Sequence, residues 1–295
     1  MEIWFPTISP SPPKTTSITK INTVKSSIPK TTARIADLTF VFFGVSLNFF
    51  MIGVILSKAS MRTAMNFYIV SLACSNMVIL IEPWQEIMNC FFSVDRILNM
   101  DYVCLISFDV SVITIGVLKF LLYVNVFRHD TSLGHALCKK RTAIKGILLI
   151  WSASIIELAI GLHIYDFYEG DMAEIYVWNT FMFFICPFLI FAMLDCLIIY
   201  NLMIFREIEG SWRSKELRCQ IMLEIITLAF YFIRAPYRVA RAINFIWPKL
   251  SCCTDSKREM LFFIAKSFPA IFSIIYMASS NEFHSALKVR CVISD

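Results

Sequence analysis

Three arginines in one apolar stretch give the strongest chemical signal. Arg234, Arg238 and Arg241 stand four and three residues apart within 217–247. On a helix those offsets put them on one face. If the stretch crosses a bilayer, each mid-depth charge costs about 2.5–3.5 kcal/mol on insertion scales, so the face must turn to a cavity or a partner. Two chemistries fit. A guanidinium stripe can bind a carboxylate, a sulfate or an acidic peptide side chain. It can also be neutralised from within, by Glu82 and Glu86, a helical i and i+4 pair beside Pro83, and by Asp109. Both can hold in different states of one molecule, because a ligand that breaks such pairs shifts the balance between states.

Other polar residues lie in apolar stretches. Lys119, Lys266, Asp195 and Glu224 are expected to pair structurally. Asn48 and Asn76 are expected to share an interhelical hydrogen bond. Trp151, Phe120, Phe230 and Phe262 read as packing residues. Nothing suggests catalysis: no HExxH, GxSxG or Walker-type glycine loop is present, and His129, His135, His163 and His284 are scattered. The chain is therefore expected not to be an enzyme. No cofactor, metal or nucleic acid is called for.

These residues need helices in lipid to position them. Of 295 residues, 58% are hydrophobic and 17% charged, with a mean hydropathy of +0.67. Soluble domains have about 45–50% apolar and about 25% charged residues. Seven stretches, 37–57, 65–89, 102–127, 142–164, 175–205, 217–247 and 259–280, are each long enough to span as a helix. The fold class expected is an all-α membrane protein, a seven-transmembrane helix bundle with a short amphipathic C-terminal helix. Residues 1–36, rich in Ser, Thr, Pro and Lys, read as a disordered tail. The bundle occupies 37–280, and 281–295 form the amphipathic helix and a short tail. Pro83, Pro187, Pro236 and Pro269 each remove a backbone hydrogen bond within a span.

Loop charges orient the bundle. Lys58, Arg62, Arg128, Lys139, Lys140, Arg141, Arg206, Arg213, Lys215 and Arg218 follow spans one, three and five. The alternate loops hold only Arg96, Lys249, Lys257 and Arg258. The basic side should be cytoplasmic, with the N-terminus outside. The loop between spans four and five carries Asp166, Glu169, Asp171 and Glu174 with no Lys or Arg, an acidic outer rim. Cys291 is a site for palmitoylation or a plain thiol.

Landmarks recur at family-like intervals. They are Asn48, the run Leu72-Ala73-Cys74-Ser75-Asn76, Trp151, Pro187, the run Phe230-Tyr-Phe-Ile-Arg-Ala-Pro236-Tyr237, and Tyr276 followed by Phe283. Together they resemble the rhodopsin-like (class A) G-protein-coupled receptors, peptide-binding branch, over about residues 37–290. There are departures. Asn76 stands where the family has Asp, Arg234 replaces a Trp, and Asp195 falls at an expected Tyr. Asp-Arg-Tyr is reduced to Phe127-Arg128-His129, and Asn-Pro has become Phe272-Ser273.

The resemblance implies a plasma-membrane receptor. A neuropeptide or peptide hormone, or an acidic small molecule, would enter from outside. It would meet Arg234, Tyr237, Arg238 and Arg241, with Glu82, Glu86 and Asp109 nearby. The resemblance assigns Asn48, Asn76, Arg128, Phe230, Pro236 and Tyr276 to activation and coupling to a heterotrimeric G protein. Arg213, Lys215 and Arg218 would face that G protein or acidic lipid. It also implies a disulfide at Cys104, whose usual partner is missing, leaving Cys90, Cys252 and Cys253 as alternatives. Two other readings stay open: a decoy or scaffold that binds without signalling, and a seven-helix transporter.

Overall fold

A computed structural model describes residues 30–92, 100–127, 131–168, 177–210, 214–246 and 255–292; within them, the side chains of Glu86, Cys90 and Arg241 are among those not described. The described residues contain no strand. The helices are α1 (Lys30–Ser57), α2 (Ala64–Met77), α3 (Ile81–Phe92), α4 (Met100–Phe127), α5 (Ser132–Leu137), α6 (Lys140–Tyr168), α7 (Cys186–Glu209), α8 (Ser214–Ala229), α9 (Ala235–Ile246), α10 (Asp255–Ala265), α11 (Phe268–Ser279) and α12 (Asn281–Val292).

Six helical runs are long and apolar enough to cross a membrane: Arg34–Ser57, Ala64–Asn89, Val103–Phe127, Lys140–Gly161, Val177–Ile208 and Met260–Ser279. They match six of the seven stretches expected from sequence. The seventh, 217–247, is helical from 214 to 246 but is not one of the six. Glu224, Arg234 and Arg238 interrupt its apolar length. The first helix also starts earlier than the boundary at 37. Residues 30–36 form its opening turns, because a helix satisfies its own backbone and can run on past the apolar segment.

Burial is inverted relative to a soluble protein. Leu148, Leu149, Phe188, Leu189 and Phe232 point outward, while Asn48, Asn76, Asp109, Lys119, Arg234, Arg238 and Lys266 are buried. Lipid favours this arrangement, since it solvates apolar side chains and gives polar ones no partner. The helix α4 is the hub. In the apolar window of Val103–Phe127, 72% of residues are buried, against 17% in Val177–Ile208. It packs on α2, α6, α7 and α8, while α1 packs on α11.

The four prolines expected to break hydrogen bonds each adjoin an irregular turn. Ahead of Pro187 the helix widens over Phe181–Ile185, and the Cys186 N–H donates to the Phe181 carbonyl. Ahead of Pro236 it widens over Phe230–Arg234, and the Ala235 N–H donates to the Phe230 carbonyl. The cause is shared. Proline has no N–H and its ring crowds the carbonyl four residues back, so the chain closes an i→i+5 bond one residue earlier. Near Pro83 the turn Val78–Leu80 tightens instead. Pro269 sits in the first turn of α11, just after the helix breaks at Lys266 and Ser267.

Close helix approach depends on small residues. A Cβ built on Gly146 would run into the Tyr68 hydroxyl of α2, and Tyr68 is buried. A Cβ built on Gly53 would meet nothing within 4 Å among the described residues. Gly146→Ala is therefore expected to destabilise by about 1–3 kcal/mol through overpacking. Gly53→Ala should be neutral or slightly stabilising. Thermal unfolding of the detergent-solubilised variants separates the two. Where α7 ends, Gly210 takes φ 68°, and its N–H caps the Arg206 carbonyl.

The C-terminal helix α12 folds back on the bundle. Phe283 and Ala286 are buried, and Phe283 meets Tyr276 and Phe50 edge-on. Asn281, Glu282, His284 and Ser285 are exposed, so the helix has the two faces the sequence suggests.

Candidate functional site

Among the described residues, the buried charged side chains gather in three clusters, each joining several helices. The first surrounds Arg234 and Arg238. Ser107 and Ser111, four residues apart on α4, share a face with Ser75 and Asn76 of α2. Arg234 Nη1 donates to Asn76 Oδ1 at 2.9 Å and to Ser111 Oγ at 3.0 Å. Its Nη2 donates to Ser107 Oγ, and Ser107 in turn donates to the Ser75 carbonyl. The Ser75 and Ser111 hydroxyls lie 2.9 Å apart. Arg234 is 3% exposed and is bonded to neutral oxygens, and its guanidinium lies 5.8 Å from the Phe230 ring.

One turn along, Arg238 Nη1 lies 3.1 Å from Asp109 Oδ1, with both side chains nearly sealed from solvent. The guanidinium also lies over Phe108 at 4.4 Å, and Thr180 Oγ1 is a long 3.5 Å from its Nε. Behind Asp109, Asn179 Nδ2 donates to Asp109 Oδ2 at 3.1 Å and to Glu157 at 3.0 and 3.3 Å. This junction ties α4, α6, α9 and the start of the 177–209 helix, near the end where α6 and α9 finish.

The second cluster lies farther along α4. Lys119 Nζ is 2.6 Å from both Asp195 oxygens and 2.9 Å from Glu224 Oε1. The Gln220 amide reaches the same two acids, with Nε2 2.9 Å from Asp195 and 2.8 Å from Glu224. Lys119 also lies 5.9 Å from the Phe191 ring. One ammonium thus joins α4, α7 and α8. The third cluster joins α1 and α3 to the break between α10 and α11. Lys266 Nζ is 3.0 Å from Asp37 and 2.7 Å from Glu82.

The structural pairing expected of Lys119, Lys266, Asp195 and Glu224 is present. Glu82, expected near the span-six arginines, pairs with Lys266, because α3 and the break after α10 both lie against α1. One other expectation changes. Asn48 and Asn76 do not bond each other. Asn48 Nδ2 donates to the Gly44 and Pro269 carbonyls at 2.6 and 2.9 Å, and Asn76 Oδ1 is taken by Arg234 and Ser111.

The remaining site residues are placed as follows. Phe230 is fully buried between Phe108 and Phe268. Pro236 follows the widened turn, and the Tyr237 ring lies on Phe262 at 4.7 Å. Tyr276 donates to Asn66 Oδ1 at 2.9 Å near the opposite end of the bundle. Trp151, read as packing, also donates to Ser71 at 3.1 Å and so joins α6 to α2. Arg128, Cys252, Cys253 and the loop acids Glu169, Asp171 and Glu174 lie outside the described residues, as do the side chains of Glu86, Arg241, Cys90 and Asp166. Cys104 itself is half-buried beside Ile79, Leu80 and Ala265.

Glu157, Asn179, Ser107, Ser111, Asp37 and Gln220 belong to the clusters without having stood out in the sequence. For Glu157 the signal existed, because it is an ionisable residue within an apolar stretch. Asp37 opens the first span at its boundary with the tail, a position that did not single it out. Compared with models of known protein families the chain matches none, and no curated protein sequence aligns with it significantly.

Proposed function

We propose that the chain is a seven-helix receptor of the rhodopsin-like kind, with the helical run 214–246 as its sixth crossing. On this reading it lies in the plasma membrane, with its N-terminus outside and the basic loops in the cytoplasm. An extracellular peptide, or an acidic small molecule, enters the end of the bundle that holds Arg238. It contests Arg238 with Asp109. The inner part of the sixth helix then swings away from α4, and a heterotrimeric G protein docks beside Arg128, Arg213, Lys215, Arg218 and Tyr276.

The observation that carries this reading is the Arg234 junction. One buried guanidinium holds Asn76, Ser107 and Ser111 together one turn from Arg238. Arg238 itself bonds Asp109 on α4, and a shift of its helix carries along Arg234, whose hydrogen bonds reach α2 and α4. A second reading is favoured by the Lys119 cluster, which clamps the sixth helix to α4 and α7. On that reading the chain binds ligand but does not signal, as a decoy or scaffold does.

A G-protein activation assay with acidic and amidated peptide libraries tests both. The receptor reading expects a response that Arg238→Ala weakens about tenfold or more, which is a loss of about 1.4 kcal/mol. Binding without any G-protein response supports the second reading. Neither binding nor response, with the protein folded and at the cell surface, would sink both.

A further inference from the structure

The junction of Asp109, Glu157 and Asn179 is incomplete in one specific way. Asn179 is 4% exposed, and its Nδ2 faces two carboxylates, Asp109 at 3.1 Å and Glu157 at 3.0 Å. With two anions in front of it, the amide can present only its nitrogen, because the reversed amide would set its oxygen against two negative charges. Asn179 Oδ1 is thereby fixed in a buried position where, among the described residues, no hydrogen-bond donor reaches it. One turn before Glu157, on the same face of α6, Ser154 is 1% exposed and its hydroxyl is likewise unpartnered. A buried acceptor left unmade is destabilising, so a site that keeps one is built for a donor from elsewhere.

The charge count at the junction points the same way. Arg238 neutralises Asp109 at 3.1 Å. Among the described residues Glu157 has no ion-pair partner, and its hydrogen bonds come from the one neutral amide. The missing complement is therefore positive and rich in donors. A primary ammonium offers three N–H donors and a guanidinium five, with no acceptor to clash with the acids. We propose that this junction binds the cationic group of a ligand, an ammonium or guanidinium, between the Glu157 carboxylate and the Asn179 amide oxygen.

The sequence supports the approach of such a group. Asp166 near the end of α6 and Glu169, Asp171 and Glu174 in the sequence that follows it, with no Lys or Arg among them, make a field that draws cations. A ligand that also carries an acid can take Arg238 while its cation takes Glu157. The proposal deepens the ligand-binding half of the receptor reading and does not depend on the signalling half.

The probe is agmatine, which carries an amine at one end and a guanidine at the other, with glutarate as a diacid of similar length. Thermal unfolding is followed for the full chain in lipid nanodiscs, wild type and Glu157→Gln. The substituted amide carries no charge for a cation but can still accept from Asn179, so the variant keeps the existing contact. Agmatine should raise the wild-type midpoint in a saturable way, glutarate should not, and Glu157→Gln should weaken the effect about tenfold or more. Infrared difference spectra of the wild-type protein, with and without agmatine, should show a perturbed carboxylate, and they serve if the variant does not fold. No agmatine shift, an equal shift by glutarate, a shift unchanged in Glu157→Gln, or a Glu157 that stays protonated throughout would each overturn the proposal. No G protein enters the measurement, so a failed signalling assay leaves it standing and its own failure leaves the receptor reading standing.

Discussion

A Lys119→Met protein is expected to lose about 3–5 kcal/mol of stability. Methionine fills much the same volume, so packing is not the cause. Lys119 is fully buried, and its ammonium is the cation for two carboxylates, Asp195 and Glu224. Removing it leaves two negative charges facing each other in an apolar interior, with only the Gln220 amide between them. Partial exposure of the two acids, at 16% and 30%, lets solvent relieve some of that cost, which favours the lower part of the range. Neutralising the acids as well tests the mechanism. The triple variant Lys119→Met, Asp195→Asn, Glu224→Gln should recover most of the loss, because a buried ion cluster replaced as a whole is often neutral. Hydrogen exchange should show α7 and α8 opening first in the single variant. An unchanged unfolding midpoint in Lys119→Met would show that the cluster does not hold these helices.

The Lys266→Met protein comes next, with an expected loss of about 3 kcal/mol or more. Asp37 is buried at 4% exposure, and Lys266 is its hydrogen-bonded counterion at 3.0 Å. The same ammonium holds Glu82 at 2.7 Å. Here the weakened contact lies elsewhere, between α1 and the helix pair 255–279, so hydrogen exchange should rise in Arg34–Ser57 and leave α7 and α8 protected. Adding Asp37→Asn should return part of the stability, since the stranded charge is then gone. If Lys266→Met instead loosened α7 and α8, the separation of the clusters would be wrong.

The fold was most legible in the sequence where one residue type dominates a long run. Six apolar stretches became helices long enough to cross a bilayer, because about 20 apolar residues in lipid have few alternatives. Pairing of Lys119 and Lys266 was legible too, since a lone buried ammonium must find an acid. Partner choice was not. Glu82 takes Lys266 as a partner, and the spacing of charges along the chain says nothing about which helices touch. Asn48 was matched to Asn76 as like with like, yet the Pro269 carbonyl lies across from it and a guanidinium outcompetes an amide for Asn76 Oδ1. Glu157 and Asn179 were overlooked because neither belongs to a spaced motif. They become a site only when α6 and the 177–209 helix are brought together around Asp109.

The two widened turns ahead of Pro187 and Pro236 have a consequence for how this chain can vary. Each holds one residue more than an α turn, which amounts to a rotation of about 100° between the helix before it and the helix after it. Asn179 and Thr180 stand just before one such turn and Arg238 just after the other. Chain length inside Phe181–Ile185 or Phe230–Arg234 therefore sets the azimuth at which these side chains meet Asp109. Gain or loss of one residue there would re-aim the junction while leaving every loop and every side-chain type as it was. The geometry of such a junction can drift by insertion and deletion within helices, with every side chain that forms it kept.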